Sequence, residues 1–490
     1  MILPLVIVLA TPRKFIDLVG DRTRAIMQSV QDDDDDDVPL SSSQETSDDS
    51  SSARHDAILL YAARFVRMLS FGGVTVVLYV LLAAIGLDGA AVGTLLSGIL
   101  AGDLIITLFL TTSADTCGRR RVLITGSMLA FVGALALSST NNFTILLLAG
   151  VIGVISPAGG EVGPFRSVEQ AALAELTARD GGVAALAAAY GKYLLIGSIA
   201  QGMGSLIAGW LVASAQAAGF ARVLSLRIPV LLFGLAAIAK AFLYMRCSPR
   251  VEAAATRQRW ATSQSMDPKL ASCCKSASAA MPCKASLSPH SRMVILRLSA
   301  LFAVDAFAGG FTMLTFISYW LHARWAISLG WVGAVLAAVN LASGLSGLVA
   351  GKLVARFGAV ETMVYTHLPS NVLLMLVPLM PNREMAVLML IVRNSISQMD
   401  VPAREAYVAW QVHSNERSAA GGITGIARSL GLSLSPLLLG VLSAADPGSF
   451  AFDSPFYVAG SLKIAYDLTL WRHFRQSEEG DGGMRRDDVL

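Results

Sequence analysis

Long apolar stretches separated by short polar segments follow one another along most of the chain beyond residue 60. A helix needs about 20 mostly apolar residues to cross the hydrocarbon core of a bilayer, and roughly twelve stretches approach that length. Membrane-spanning helices are therefore predicted at residues 62–86, 91–112, 122–139, 143–164, 188–213, 227–247, 295–320, 329–354, 360–380, 384–401, 420–443 and 456–472. The pattern predicts an all-α membrane protein. The last stretch contains Lys463 and Asp467, so its ends are the least sharply defined.

Composition indicates the same class. Of the 490 residues, 54% are hydrophobic and only 15% are charged, and a soluble core of this length uses far less apolar surface. Most of the five cysteines lie in or beside one polar segment. This arrangement favours a reducing compartment over a disulfide framework.

Lysine and arginine accumulate on one side of the predicted spans. Loops rich in these residues stay in the cytoplasm. One set of loops carries Arg119 to Arg121, Arg166, Arg179, Lys352, Arg356, Arg404 and Arg417. The opposite set holds Arg222, Arg227, Arg324 and Arg383. Both termini are therefore predicted to be cytoplasmic, while the identity of the membrane stays open.

Composition shifts divide the chain into five segments. Residues 1–56 form an acidic, serine-rich leader that is predicted to be disordered because it cannot bury a core. Residues 57–247 form an N-terminal six-helix half, and residues 248–293 form a cytoplasmic linker rich in Ser, Ala, Lys and Arg. Residues 294–475 form the C-terminal six-helix half, and residues 476–490 are a cytoplasmic tail.

The loop S-A-D-T-C-G-R-R-R-V-L at residues 113–123 joins two predicted spans. Three adjacent guanidinium groups cannot enter hydrocarbon, so this loop is a short turn at the membrane surface. It resembles the loop between helices 2 and 3 of the major facilitator superfamily, with the pattern G-x-x-x-D-x-x-G-R-[RK]-x-[RK]. The residues of the motif are Asp115, Gly118, Arg119, Arg120 and Arg121.

A degenerate internal repeat supports the resemblance. The segment G-K-L-V-A-R-F-G-A-V begins at Gly351, and Gly358 aligns with Gly118 at an offset of 240 residues. Pro164–Arg166 and Pro402–Arg404 align at an offset of 238 residues. The resemblance implies twelve transmembrane helices in two pseudo-symmetric six-helix halves, the fold of this superfamily.

The resemblance also implies a function. We expect a secondary active transporter that moves a small solute by alternating access, with Asp115 and the three arginines as a conformational latch. The chain has no phosphate-binding loop and no catalytic motif, so it is not expected to be an enzyme, and an ion gradient or the solute gradient must drive transport. We expect proton coupling. Two alternatives stay open: a facilitated-diffusion uniporter of the same fold, and a receptor or scaffold that does not transport.

The expected partners are a small-molecule substrate, H⁺ and the lipid bilayer. No cofactor, metal ion or nucleic acid is expected, and the protein is expected to be a monomer. The cysteine spacing near residues 273–283 lacks the histidine or acid that would complete a typical zinc set.

Ionisable residues deep in the predicted spans are candidates for the substrate and proton cavity, because burying them is costly unless they face a cavity or a partner. Asp103, Asp305 and Arg393 lie deepest. Asp305 is the better candidate for a proton carrier, since its sequence surroundings are otherwise apolar. The alternative is a structural ion pair between Asp305 and Arg393.

Four charged residues near the predicted cytoplasmic ends of spans are gating candidates. Glu161 lies near the end of the fourth span and Arg166 just beyond it, and Asp400 lies at the end of the tenth span with Arg404 just beyond it.

Three further charged or titratable residues are given structural roles. Arg64 and Arg67, at the start of the first span, are expected to reach the interface and anchor the helix. His367 is expected to be packed and hydrogen-bonded.

Overall fold

The computed structural model describes residues 43–153, 155, 157, 164–177, 182–252, 288–411 and 417–480. Side chains are described from Ala53 onward, with a few exceptions that include Asp115 and Ala355. The chain divides into a unit at Met1–Ser52 and a unit at Ala53–Leu490. The architecture below concerns the second unit.

The described residues form α-helices and two short 3₁₀ turns, and they contain no β-strand. The helices of the N-terminal half are α1 Ser43–Ala84, α2 Gly89–Cys117, α3 Arg119–Ser139, α4 Phe143–Ile152, α5 Pro164–Thr177, α6 Gly182–Ala217 and α7 Arg222–Arg246. Those of the C-terminal half are α8 Pro289–Gly310, α9 Leu314–Trp325, α10 Leu329–Phe357, α11 Ala359–Leu376, α12 Arg383–Ser397, α13 Asp400–Trp410, α14 Arg417–Ser443 and α15 Phe450–Gly480. The 3₁₀ turns are Pro249–Val251 and Val377–Leu379. Among the described residues, nine helices are long and apolar enough to cross a membrane.

Each predicted span corresponds to one helix or to an interrupted pair of helices. The spans at 143–164, 295–320 and 384–401 were predicted to be continuous, and the structure divides them into α4 and α5, α8 and α9, and α12 and α13. Glycine and proline explain two of the divisions, since α8 ends at Gly310 and α5 begins at Pro164. The last span is longer than predicted, because α15 continues to Gly480.

The predicted boundary of the leader at residue 56 lies inside α1. Asp56 is buried and accepts a 2.9 Å hydrogen bond from the backbone N–H of Ser248. It also accepts a hydrogen bond from the hydroxyl of Ser248. This contact ties α1 to the end of α7, so Asp56 belongs to the bundle.

The predicted linker is shorter at both ends than expected. Val251 and Glu252 are buried against the N-terminal half, and α8 begins at Pro289 with Ser288 as its N-cap. Residues 253–287 lie outside the described residues. We call the end of the bundle at which α7 finishes and α8 begins the linker end.

The two aligned glycines of the repeat have the same structural role. Gly118 lies between α2 and α3 with a φ of 104°, and Gly358 lies between α10 and α11 with a φ of 94°. Each turn reverses the chain within one residue, and only glycine accepts such a φ without steric cost.

Hydrophobic cores divide the bundle along its length. At the end opposite the linker, one core joins both halves and includes Val76 and Tyr79 of α1 together with Phe316 and Trp320 of α9. At the linker end each half has a core of its own. The halves are therefore joined mainly at the opposite end.

Candidate functional site

Asp305 on α8 is the centre of a buried ionic cluster in the C-terminal half. Its carboxylate lies 2.6 Å from Lys463 Nζ and 3.0 Å from Arg428 Nη1. Arg404 Nη1 lies at 3.6 Å, and His367 Nε2 lies at 3.8 Å. Helices α8, α11, α13, α14 and α15 thus meet at one carboxylate.

A second layer of polar contacts fixes the partners of Asp305. Arg404 also binds Asp400 at 3.0 Å. Asp467 contacts His367 Nδ1 at 2.8 Å and accepts a 2.9 Å hydrogen bond from Asn371. His367 is buried and hydrogen-bonded, as predicted.

The structure contradicts the predicted pair of Asp305 and Arg393. The Arg393 guanidinium donates to the side chain of Asn394 at 3.4 Å, and its Nε is buried without a partner in the described part of the chain. The expectation that Asp305 has apolar surroundings is also wrong. Lys463 and Arg428 compensate its charge.

Glu169 on α5 is the centre of a matching cluster in the N-terminal half. It is fully buried and binds Arg67 of α1 at 2.6 Å. The hydroxyls of Tyr193 on α6 and Tyr244 on α7 each donate a hydrogen bond to its carboxylate. Four helices of this half meet at this residue.

The predicted roles of Arg64 and Arg67 as interfacial anchors are wrong. Arg64 is buried with its guanidinium 4.2 Å from the centre of the Tyr193 ring, and Arg67 pairs with Glu169. The helix begins well before the predicted span, so both arginines lie inside the bundle. Lys240 of α7 is also buried there, with its ammonium 3.5 Å from the centre of the Phe165 ring.

Asp103 on α2 is fully buried. Neither of its carboxylate oxygens has a hydrogen-bond partner among the described residues. The adjacent Gly102 lies directly against the backbone of Val151, near the end of α4. Asp103 therefore follows directly after a residue that packs on the end of α4.

The α2–α3 turn is bound to the end of α7. The Glu252 carboxylate accepts hydrogen bonds from the backbone N–H groups of Arg119 and Arg120, so it caps the N-terminus of α3. The Arg119 guanidinium donates to the carbonyl of Val251 at 3.2 Å. The Arg120 guanidinium donates to the carbonyl of Met245 at 2.9 Å. These contacts lie within the N-terminal half.

Other predicted candidates are placed only in part. The Asp115 side chain and the whole of Glu161 lie outside the described residues, and Arg121 is exposed on α3. Arg166 of α5 lies 3.5 Å from Glu405 of α13, so this pair joins the two halves near the linker end.

The two helix pairs that join the halves are close at one end only. Between α2 and α14, Gly89 and Gly93 lie against Gly440, so their backbones approach closely at the end opposite the linker. A methyl group at Gly421 or Gly425, nearer the linker end of α14, would meet no heavy atom of the described residues within 4 Å. The glycines thus indicate a gap between these helices at the linker end.

The pair α6 and α10 shows the same asymmetry. Gly209 and Gly333 are in close contact. Toward the linker end, Gly347 and Gly351 have no neighbour within 4 Å in the described ranges. The halves therefore enclose a gap that opens at the linker end.

Two six-helix halves, each held together by a buried ionic cluster and separated by a gap at one end, define a membrane transporter. The chain belongs to the Major Facilitator Superfamily, and the model of this family matches residues 60–393. Family membership confirms the predicted class: an integral multi-pass membrane protein of a transporter family.

Comparison with individual proteins supports this assignment. The uncharacterized membrane protein YJR124C of Saccharomyces cerevisiae is 27% identical over 427 residues, which cover 85% of this chain and 94% of the yeast protein. The structure of the nucleoside transporter NupG matches with a TM-score of 0.64 at 12% identity, over 86% of this chain and 99% of that one. The structure of the xylose transporter XylE from E. coli matches with a TM-score of 0.63 at 13% identity, over 86% of this chain and 98% of that one. These similarities confirm the predicted twelve-helix fold in two halves.

Proposed function

We propose that the protein is a secondary active transporter that moves a small solute by alternating access, with its linker end in the cytoplasm. The unequal packing of the two halves carries this proposal. A gap that is closed at one end and open at the other corresponds to one of the two states that alternating access requires. With the linker end in the cytoplasm, as the basic loops favour, this state is open to the inside.

The ionic clusters support movement of each half as a unit. The Glu169 cluster contains residues of the N-terminal half alone, and the Asp305 cluster contains residues of the C-terminal half alone. Neither cluster has to break when the halves rock against each other. The contacts that must change lie between the halves.

We propose Asp103 as the proton carrier. Among the described residues, the buried carboxylate of Asp103 has no hydrogen-bond donor and no ion-pair partner, and such a group is costly as an anion, which favours its protonated form. Its neighbour Gly102 packs against the end of α4, so a movement of α4 against α2 would alter the exposure of Asp103. Asp305 is less suited, because its cationic partners stabilise the ionised form.

The latch role predicted for Asp115 and the α2–α3 turn stays part of the proposal. The contacts of Arg119 and Arg120 with Glu252 and with the end of α7 link this turn to the start of the linker. A movement of the turn would therefore move the linker with it.

Distances between spin labels at both ends of the bundle test the proposal. In a cysteine-free background reconstituted in nanodiscs, Lys192→Cys with Lys352→Cys reports the separation of α6 and α10 at the linker end. Ala90→Cys with Ala444→Cys reports the separation of α2 and α14 at the opposite end. All four side chains are exposed. We expect two populations at each pair, with the long distance at one end accompanied by the short distance at the other.

The two alternatives give different results. A receptor or scaffold that does not transport would show one fixed distance at each pair. A facilitated-diffusion uniporter would show two populations whose ratio does not change with pH. Once a solute is known, flux into vesicles with and without a pH gradient separates the same three possibilities.

A further inference from the structure

Arg428 lies in the middle of α14, a helix with a face toward each half. Gly431, less than one turn further on, contacts the backbone of Ala303 on α8. Pro436, two turns further on, contacts Gly93 on α2. At about 3.6 residues per turn, Arg428 lies between these two contact faces and opposite the exposed Leu430 and its neighbours. It therefore lies on the side of α14 that faces the interior.

The same side of α14 borders the gap. Gly421 and Gly425 precede Arg428 by seven and three residues, so all three share one helix face. That face has open space at both glycines within the described structure. Although Arg428 reaches back to Asp305, a third of its side chain (33%) stays exposed. Its guanidinium is thus accessible from the gap.

Arg428 has unused donors. One nitrogen, Nη1, binds Asp305 at 3.0 Å, and the remaining N–H groups have no partner among the described residues. A guanidinium offers five N–H donors in a planar fork that matches a carboxylate or a phosphate. Arg428 can therefore bind Asp305 and a second anion at the same time.

The charges of the surrounding cluster also favour an additional anion. Three carboxylates, Asp305, Asp400 and Asp467, face four cations, Arg393, Arg404, Arg428 and Lys463. Arg393 contacts no carboxylate of the described residues, and Asp467 is bound by His367 and Asn371. Buried charge of one sign needs a counter-charge.

We infer that the transported solute is an organic anion whose carboxylate or phosphate group accepts hydrogen bonds from Arg428 at the gap. This inference rests on the proposed function, because it takes the gap to be the solute pathway. Arg428 is the contacting residue, and Lys463 and Asp305 are positioning residues that hold its guanidinium in place. Asp305 limits the excess of positive charge, so the site attracts an anion without being permanently blocked by one.

Thermal unfolding of the full chain in nanodiscs, followed by intrinsic fluorescence, tests the inference. The probes are succinate, benzoate and phenyl phosphate, each compared with an uncharged counterpart: succinamide, benzamide and phenol. We expect at least one anion to raise the unfolding midpoint by a few degrees, because a ligand that binds the folded state stabilises it. We expect its uncharged counterpart to have no effect.

Variants assign the effect to Arg428. Arg428→Gln should raise the anion concentration needed for half of the stabilisation at least about tenfold, whereas Arg428→Lys should retain part of the effect. Arg383→Gln, at an exposed arginine paired with Glu384 at the opposite end, is the control and should behave as the wild type. If Arg428→Gln yields no folded protein, the Arg428→Lys variant and the matched anion pairs still decide the result.

Three outcomes would overturn the inference: no anion protects, an uncharged counterpart protects equally well, or Arg428→Gln and Arg428→Lys both bind the anion as the wild type does. The spin-label distances on the same samples separate this failure from failure of the proposed function. If the labels show two distances but no anion raises the unfolding midpoint, only the anionic nature of the solute is rejected. If an anion raises the unfolding midpoint but the labels show one fixed distance, the protein is an anion-binding receptor and the proposed function is rejected.

Discussion

Arg67 and Asp305 occupy equivalent positions in the two halves and carry opposite charges. They are 238 residues apart, the offset that also aligns the two proline–arginine segments of the repeat. Arg67 binds Glu169 at 2.6 Å, and Asp305 binds Lys463 at 2.6 Å. The repeat has thus kept a buried ion pair on the first helix of each half while the sign of the charge is exchanged. The shared role of this position is to hold the helices of one half together.

The first prediction concerns the stability of the N-terminal half. Glu169→Gln keeps the shape of the side chain but removes the carboxylate that Arg67 binds. We expect a loss of about 3–5 kcal/mol of folding stability, because breaking a buried pair leaves an uncompensated charge. Thermal unfolding of the purified protein and the yield of monodisperse protein measure the effect. Glu405→Gln, at a carboxylate whose side chain is 65% exposed, is the control.

A double variant distinguishes a structural pair from a functional one. Arg67→Met with Glu169→Leu removes both charges and should recover part of the stability that Glu169→Gln loses. The recovery is incomplete because the buried hydroxyls of Tyr193 and Tyr244 lose the carboxylate to which they donate. An unfolding midpoint for Glu169→Gln equal to that of Glu405→Gln would remove the stabilising role of the cluster.

The sequence predicted the helices far better than the ionic clusters. Apolar length alone located all the spans, because a membrane imposes a minimum helix length. It does not reveal the Glu169 cluster, since Arg67 lies at the edge of the first apolar stretch and Glu169 lies beyond the end of the fourth. Hydropathy does not reveal a charged helix that continues beyond an apolar stretch. It does not reveal a short interruption within an apolar stretch either.

The Asp305 cluster was found by its acid but with the wrong partner. Position along the sequence does not tell which of several helices faces α8, and depth within a span alone points to Arg393. Two signals were available: Arg428 lies within the apolar span 420–443, and Lys463 within 456–472. A charged residue in the middle of an apolar span requires a partner or a cavity. Only the packing of α14 and α15 against α8 shows that Arg428 and Lys463 are the partners of Asp305.

The second prediction concerns proton coupling through Asp103. In the wild type, the ratio of the two distances at the Lys192 and Lys352 label pair should change with pH, because protonation of Asp103 favours one conformation. Asp103→Asn imitates the protonated acid, and its ratio should be constant with pH. Asp88→Asn is the control, since Asp88 is the exposed N-cap of the same helix and asparagine caps equally well. A pH response that persists in Asp103→Asn would assign the proton to another group.

The third prediction concerns the cap of α3. Glu252→Ala removes the acceptor of two backbone N–H groups at the start of this helix. We expect a loss of about 0.5–2 kcal/mol of stability, measured by thermal unfolding. Glu384→Ala, at an exposed residue, should cost less. Equal effects of the two changes would show that the capping contact contributes nothing.

The fourth prediction concerns orientation. A single cysteine at Ser276, in the linker, should react with a membrane-impermeant reagent only after the membrane has been opened. A cysteine at Asn382, in the loop between α11 and α12, should react in intact cells. The distribution of Lys and Arg motivates both expectations. Reversed accessibility would place the linker outside the cytoplasm.

The last prediction concerns Arg166 and Glu405, which join the halves near the end where they separate. Their side chains are 25% and 65% exposed, and the charged atoms are 3.5 Å apart. Exposed pairs of this kind contribute about 0.2–1 kcal/mol, so Arg166→Glu should shift the conformational ratio by at most about fivefold toward the state with a wider linker end. The Lys192 and Lys352 label pair measures this ratio.

The reciprocal exchange tests whether the attraction itself matters. Arg166→Glu with Glu405→Arg restores opposite charges across the gap and should return the ratio to that of the wild type. High salt should reduce the difference between the single variant and the wild type, because ions screen exposed charges. If the exchanged pair behaves like Arg166→Glu alone, Arg166 acts through contacts within its own half, and the pair is not a contact that controls closure.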